Sequence, residues 1–552
     1  MKLAPRKRGI ESSKIEQEAA LNTGNPPLIQ ALLDPGRYPH PVDSVQLIET
    51  HISFVLLAGR FAYKMKKPID LGFLDFSSLE KRKQACEAEV RLNRRLAPEI
   101  YLGVLPLHGT AESPRWSPPG DPIEYVVQMV RFDETRQMDR MLSEGLLCSQ
   151  HIDALAETVA SFHEMLAERA VNSIYGAPDT IWRAVEGNFS QIRQWRPPEA
   201  CRNALSDIAS WSTETYRGQI GRFLERSRTG KVRECHGDLH LKNLAWIAGK
   251  PLVFDCIEFD PYLRWIDVIN DCAFLTMDLG FQNAFAFAQR FLDGYLERTG
   301  DFDGLALLRF YMVYRVMVRA KVRLIRARQE TRSGDAEASM HEFCRYIAYA
   351  STLIQPAPRG IILTFGPSAS GKSRIARSLI ERLPAFRIRS DVERKRIFGI
   401  ASRSGAAAGF GEGIYSQDAT RLTYDRLISL SETILDAGYI VIVDAAFLKA
   451  SERDRFRKVA EKRHVPFCIV VLQASAATLR RRIRERKKGV SDAGPDILEK
   501  QLQTMEPLTG VETRFAIAFD TENDEDPAGL ANRLKDRIGG RPAGPTHSAN
   551  GT

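Results

Sequence analysis

The sequence predicts a multidomain protein whose first part is α+β and whose second part is α/β, built on a parallel sheet. Three observations lead there. The chain has 552 residues, too many for one ordinary core, so two or three domains are expected. Up to Ile354 the apolar patterning reads strand, strand, helix, strand, strand, and then helix after helix. Beyond Gln355-Pro356-Ala357-Pro358-Arg359-Gly360, near-continuous apolar runs alternate with helical segments, the pattern of strands covered on both faces.

Residues 1–45 carry prolines, glycines and little periodicity, and read as a lead-in with one short helix at 28–33. A first domain is expected over 46–355. Strands at 52–57 and 61–65 flank the turn Ala58-Gly59-Arg60. A charged helix over 77–97 is stopped by Pro98. Strands follow at 101–107 and 124–130, and residues 138–228 are mostly helical. A short strand at 252–254 precedes a helix starting near Trp265, and 305–354 is helical, with neither glycine nor proline before Thr331. The two prolines after Gln355 break that helix and open a new strand. A second domain is expected over 358–538, with strands at 361–365, 386–389, 439–443, 467–472 and 515–519. Residues 539–552, rich in glycine and proline, read as a flexible tail.

The second domain opens with Gly366-Pro367-Ser368-Ala369-Ser370-Gly371-Lys372-Ser373, which satisfies GxxxxGK[ST] in full between a strand and a helix. Such a P-loop curls so that its amides point at phosphate oxygens. Residues 366–373 are therefore expected to bind ATP, with Lys372 reaching the terminal phosphates and Ser373 the Mg²⁺. Strand ends of a parallel sheet face the ligand. Asp391, after the second strand, could take a proton from an acceptor hydroxyl, with Arg394 holding an anionic group; N-capping a helix is the other reading. Asp444 ends the third strand and is the candidate to serve Mg²⁺ through water. The basic run from Arg480 to Lys488 is a solvated helix, a nucleic-acid patch, or a lid over ATP. In the lid reading Arg482 and Arg486 share a helix face at i, i+4 and stabilise developing charge.

The first domain carries His236-Gly237-Asp238-Leu239-His240-Leu241-Lys242-Asn243, and Asp255 follows the short strand. Protein kinases space the same residue types as HRDxxxxN and a later Asp. Asp238 is placed to take the acceptor proton, while Asn243 and Asp255 hold Mg²⁺. Lys64 and Lys66 share one face of their strand. Lys64 is the expected catalytic lysine, paired with Glu89 or Glu87, and Lys66 is a further nucleotide-binding candidate. Met129, within Gln128-Met129-Val130-Arg131, is expected to offer backbone to adenine. Only one glycine stands at Leu57-Ala58-Gly59-Arg60, so no glycine-rich loop is evident.

The form HGDxHxxN, with Asp255-Cys256-Ile257-Glu258-Phe259-Asp260 in place of a DFG glycine, resembles the aminoglycoside phosphotransferase family. Asp267 and Asp271 also match it and read as structural, pinning the loop or capping a helix. The second domain, through GPSASGKS, SDVERKR and VIVDAAF, resembles small P-loop kinases of the AAA-33/zeta-toxin-like type. The whole order is similar to bacterial proteins described as bifunctional aminoglycoside phosphotransferase/ATP-binding proteins. The resemblance implies a protein-kinase-like bilobal domain followed by a P-loop NTPase domain. It also implies an ATP- and Mg²⁺-dependent phosphotransferase acting on small-molecule hydroxyls. For a polycationic acceptor, Glu258, Asp260 and Asp278 could form an acidic rim.

Bulk properties set the remaining bounds. A formal charge of +9 suits phosphate ligands and nucleic acid alike. No CxxC pair occurs among the eight cysteines, which argues against zinc. No apolar stretch approaches a membrane span, and the basic N-terminus has no apolar signal core, so a cytoplasmic protein is expected. Two alternatives to a two-site enzyme stay open: one active kinase-like domain regulated by a nucleotide-sensing P-loop domain, or a nucleotide-dependent nucleic-acid binder.

Overall fold

Alternating apolar side chains draw six strands into an antiparallel sheet. Its order is Val45–Glu49, Ser53–Ala58, Phe61–Lys66, Glu124–Val130, Tyr101–Gly109, Pro114–Arg115. The structure is a computed structural model that describes residues 25–70, 74–166, 173–329, 333–400, 414, 416–485, 494–523 and 526–539. The chain divides into two compact units: the described residues up to Glu134 with Val253–Pro261, and Thr135–Leu252 with the residues from Tyr262 onward.

In the first unit, Val45–Glu49 pairs with Ser53–Ala58. This strand begins at the end of the expected lead-in, so the sheet starts earlier than the apolar patterning indicated. Its residues are only partly buried, which is why an edge strand of mixed polarity was hard to read. Leu56, Tyr63, Met65, Leu107 and Val126 form the core together with Ile29 and Leu32 of the short helix Pro27–Leu32. The helix Leu79–Asn93 starts where the Ser78 hydroxyl accepts the Lys81 amide at 3.3 Å. It stops before Pro98 is reached, and Asn93 Oδ1 instead accepts the backbone amide of Cys256 at 2.8 Å.

The second unit contains the remaining helices and a five-stranded parallel sheet. Trp265–Asp267, expected to begin a helix, is a strand paired with Val232–Glu234. The helix begins at Val268 because Asp267 caps it, accepting the Ile269 amide at 3.0 Å. Arg226 donates to both oxygens of Asp267, at 2.6 and 2.7 Å, and to both oxygens of Asp301, at 2.9 and 2.8 Å. All three side chains are buried, so this double fork ties Arg202–Arg228 to the following helices. The residues over 305–354 form two helices, Leu305–Gln329 and Ser333–Leu353.

The parallel sheet has the order Ala385–Arg389, Ile440–Asp444, Gly360–Phe365, Phe467–Gln473, Ala516–Asp520. Ile362, Ile442, Val470 and Phe519 from these strands pack with Ile375, Leu379, Leu530 and Leu534 from flanking helices. The helix Phe285–Thr299 lies against this fold within the same unit. Gln289 donates to the Leu383 carbonyl at 3.0 Å, and Arg290 pairs with Glu381 at 2.6 Å. Among the described residues, no helix is long and apolar enough to cross a membrane.

Candidate active sites

In the first unit, Lys64 and Lys66 converge on Glu89, as two side chains two apart on a strand must when a helix carboxylate faces them. Lys64 Nζ donates to Glu89 Oε1 at 2.8 Å and to Asp255 Oδ1 at 2.5 Å. Lys66 Nζ donates to Glu89 Oε2 at 2.5 Å and also to Glu258. Burial works against the charge on Lys64, yet Asp255 and Glu89 hold its ammonium well above the ordinary lysine value. Burial would raise Glu89, but the two lysines bring it down to about 2. Burial pushes Glu258 up in spite of Lys66. Of the two partners weighed for Lys64, the structure pairs it with Glu89.

Asp255 adopts the left-handed region, with φ of 64°. Its amide is held by Tyr101 Oη at 3.2 Å. Aspartate tolerates this conformation better than most residues, and the strain is localised beside the lysine that receives its carboxylate.

Several expectations shift here. Lys66, a nucleotide-binding candidate, is fully buried between Glu89 and Glu258, and its ammonium is spent on them. Met129 lies inside a strand, in register with Ala62 on one side and Tyr101 on the other. The next two amides are also taken, Val130 by the Ile100 carbonyl and Arg131 by the Arg60 carbonyl. Gly59-Arg60 is the turn between the second and third strands, while the turn between the first two, Thr50-His51-Ile52, has no glycine. Glu258 and Asp278 are buried and bonded, so they do not form an acidic rim.

In the second unit, the loop 236–243 hangs from one helix, Val268–Phe281. Asp271 accepts the amides of His236 and Gly237 at 3.1 and 2.9 Å, and Asp278 accepts that of Leu241 at 2.9 Å. Seven residues separate the two carboxylates, about two turns, so both project from one face. Gly237 has φ of 84°, and a Cβ there would come within 2.7 Å of the Leu263 carbonyl, so no other residue fits. Asn243 Nδ2 donates to the backbone carbonyl and to Oδ2 of Asp238, both at 3.0 Å. His240 Nε2 lies 3.2 Å from Asp238 Oδ2. Burial would raise Asp238, but His240, with help from Arg319 and His236, holds it below the ordinary carboxylate range. Asp238 is thus an ionised, hydrogen-bond-accepting group on a fixed loop, still a third exposed.

The P-loop follows Gly360–Phe365 and runs into the helix Lys372–Ile380. Gly366, Ala369 and Gly371 have φ of 151°, 66° and 91°. Gly366 has no room for a side chain, because a Cβ would lie 2.9 Å from Ser370 Oγ. Lys372 Nζ bonds the carbonyls of Gly366 and Pro367 at 2.9 and 2.7 Å, folding across the loop. The donor set fits a phosphate-and-magnesium ligand. Ser370 Oγ and Asp444 Oδ2 are buried polar atoms with no hydrogen-bond partner among the described residues. Ser373 lies exposed in the helix's first turn.

Asp444 ends its strand in register with Arg389, and Arg389 Nε lies 3.5 Å from Asp444 Oδ2. Asp391 is the second residue of the helix Ser390–Ile397, whose N-cap is Arg389, so the capping reading of Asp391 does not hold. Arg482, on Ala476–Glu485, reaches Thr521 Oγ1 at 3.1 Å, the Thr521 carbonyl at 2.6 Å and the Ala369 carbonyl at 3.5 Å. It therefore stands over the P-loop, whereas Arg486 lies outside the described residues. A cleft of about 450 Å³ beside the loop is lined by Pro367, Gln473, Ser475, Leu479, Leu502 and Glu522. Sequence reasoning missed Gln501, which accepts the Ser368 amide at 2.7 Å, and Thr521; neither carries a motif.

A family profile described as an AAA domain matches residues 361–508. Among solved structures, the choline kinase of Cryptosporidium parvum aligns with a TM-score of 0.39 at 12% identity, covering 58% of this chain and 94% of that one. A sugar kinase of a Janibacter species aligns with a TM-score of 0.26 at 19% identity, covering 33% and 95%. Uncharacterized proteins of Mycobacterium tuberculosis and Mycobacterium bovis are 31% identical over 461 residues, 83% of this chain and 90% of theirs. The profile match accords with the P-loop described above. The chain belongs to the family of these mycobacterial proteins, and its residues 361–508 match the AAA-domain profile.

Proposed function

We propose that the chain transfers the γ-phosphoryl group of ATP to hydroxyls of small-molecule acceptors at two sites, one in 46–355 and one in 358–538. The observation that carries this reading is the convergence of Lys64 on Glu89 and Asp255 in a chain that also has an intact P-loop. In the first site Asp238 accepts the hydroxyl proton, Lys64 orients the phosphates, and Asn243 and Asp255 are the metal-holding side chains. In the second, Lys372 turns from the loop carbonyls to the phosphates, Ser373 and Asp444 serve the metal, Asp391 accepts the acceptor proton, and Arg482 steadies the loop. Mg²⁺ bound at either site would offset charge developing on the transferred group.

Calorimetry of the full chain with Mg²⁺ and a non-hydrolysable ATP analogue tests the reading. Two binding events are expected. Lys372→Ala removes one, weakening it roughly 10- to 100-fold through loss of a charge-assisted phosphate contact, and Asp255→Asn weakens the other. A single event abolished by either substitution would rule out two sites. Labelled ATP with a panel of hydroxylated metabolites then identifies the acceptor.

The ion pairs joining Phe285–Thr299 to the P-loop fold favour a second reading, in which the P-loop senses nucleotide and adjusts the kinase-like site. Under it, Lys372→Ala would change transfer that also depends on Asp238, and no acceptor would be specific to the P-loop.

A further inference from the structure

One strand of the P-loop fold is held by a helix outside that fold. Its second strand, Ala385–Arg389, carries two arginines toward the helix Phe285–Thr299, which precedes the P-loop fold by some sixty residues. Arg387 is buried and pairs with Asp293 at 2.8 Å and Glu297 at 2.7 Å. Arg389 Nη1 pairs with the other oxygen of Glu297 at 2.9 Å, while its Nε points at Asp444 Oδ2 from 3.5 Å, too far for a hydrogen bond. Arg389 Nε and Asp444 Oδ2 are both buried, and neither has a hydrogen-bond partner among the described residues. Two opposite charges thus face each other, buried and without a hydrogen bond between them, while Glu297 holds the guanidinium from its other side.

We propose that Glu297 is a positioning residue for the P-loop site: by anchoring Arg389, it keeps the guanidinium from closing on Asp444 and so leaves that carboxylate open to Mg²⁺. The inference rests on the reading of Asp444 as the metal-serving carboxylate and extends it to a residue outside the P-loop fold. The geometry supplies the reason. A bidentate pair between Arg389 and Asp444 would occupy both carboxylate oxygens with cationic N–H groups and compete directly with a metal. The parallel register of Arg389 against Asp444 keeps the two within reach, so an anchor on the far side of the guanidinium favours the open arrangement. Gln at 297 keeps the size and a hydrogen bond but gives up the charge that holds Arg389. Arg387 retains Asp293 in that variant, so the junction keeps one of its ion pairs.

The test compares the full chain with Glu297→Gln, Arg389→Gln and the double variant. ADP binding is measured by calorimetry in EDTA and across a Mg²⁺ titration, reading the component that Lys372→Ala abolishes. Glu297→Gln is expected to raise the Mg²⁺ concentration at half-effect roughly 10- to 100-fold, the usual scale for groups that orient a metal ligand, with ADP binding in EDTA unchanged. Arg389→Gln is expected to lower that concentration, since it removes the competing cation. The double variant should behave like Arg389→Gln, because in this proposal Glu297 reaches the metal site through Arg389, its pair with Arg387 notwithstanding. Hydrogen exchange gives a readout independent of binding heat: Mg-ADP should slow the amides of Phe285–Thr299 in the unsubstituted chain and not in Glu297→Gln, because coupling is reciprocal. The inference is overturned if Glu297→Gln leaves the Mg²⁺ requirement unchanged, if Arg389→Gln raises it, or if the double variant stays as weak as Glu297→Gln. Should Glu297→Gln not fold, Arg389→Gln alone decides. Absence of any Lys372-dependent ADP component would instead remove the P-loop reading, and this inference with it.

Discussion

Asp238→Asn is expected to lower turnover of the kinase-like site by roughly 10²- to 10⁴-fold, the range attached to loss of a positioned general base. The amide keeps the size of the side chain and can still meet Asn243, and the loop remains pinned by Asp271 and Asp278. Nucleotide affinity and melting temperature should therefore change little. The measurement is steady-state transfer to whichever acceptor the metabolite panel identifies, with Mg-ATP affinity determined separately. A variant that retained more than a tenth of the turnover would remove Asp238 from the role of base. The pH profile adds a second check. Because its neighbours hold Asp238 below the ordinary carboxylate range, the group is ionised throughout the neutral and mildly acidic range. The acid limb of turnover should fall below the usual carboxylate value, not near pH 6.

Arg226→Met is expected to destabilise the second unit by about 3–5 kcal/mol, the scale of leaving buried charges without their partner. Methionine fills much of the volume, but Asp267 and Asp301 lose the fork that satisfied four of their oxygens, leaving Asp267 the Ile269 amide and Asp301 the Lys231 ammonium, each at 3.0 Å. The direction with pH follows from Asp301. Burial would raise it, but Arg226 lowers it below the ordinary carboxylate value, so its contribution is fully present above the unfolded value and is lost as pH falls through the folded one. In the variant Asp301 can relieve its burial by taking up a proton. The gap in melting temperature between the two chains should be widest near neutrality and narrow below about pH 5. A gap that stayed constant with pH would show that lost packing, and not charge, sets the cost.

The candidate site residues lie in local motifs, so their placement in the fold was legible. The P-loop fixes its own backbone through Gly366 and Gly371. The five-residue step from Asp238 to Asn243 is short enough for one side chain to bond the other. Asp267 and Asp271 could be read as structural, and one indeed caps the helix while the other receives two loop amides. What escaped depended on partners far away in the chain. Glu258 and Asp278 looked like surface acids because nothing near them in sequence reveals Lys66 or the Leu241 amide. Met129 was placed in a linker because an apolar strand end and an apolar linker look alike until the register is known. The edge strand Val45–Glu49 had too little apolar alternation to declare itself. Arg387 and Arg389 looked like strand-end basic residues, and their meaning came only from carboxylates on another helix.

That last arrangement bears on how the polypeptide can be dissected. Severing it at the proline-rich stretch 355–360 is the obvious way to obtain each half alone. Such a cut would strip Arg387, whose side chain is 1% exposed, of both its acidic neighbours, and would leave Asp293 and Glu297 stranded on the other fragment. Each truncated piece would inherit an orphaned ionic patch where it once had an inner seam. Co-expression of the two fragments should restore solubility that neither achieves singly, a behaviour expected of one body split in two and not of two beads on a string.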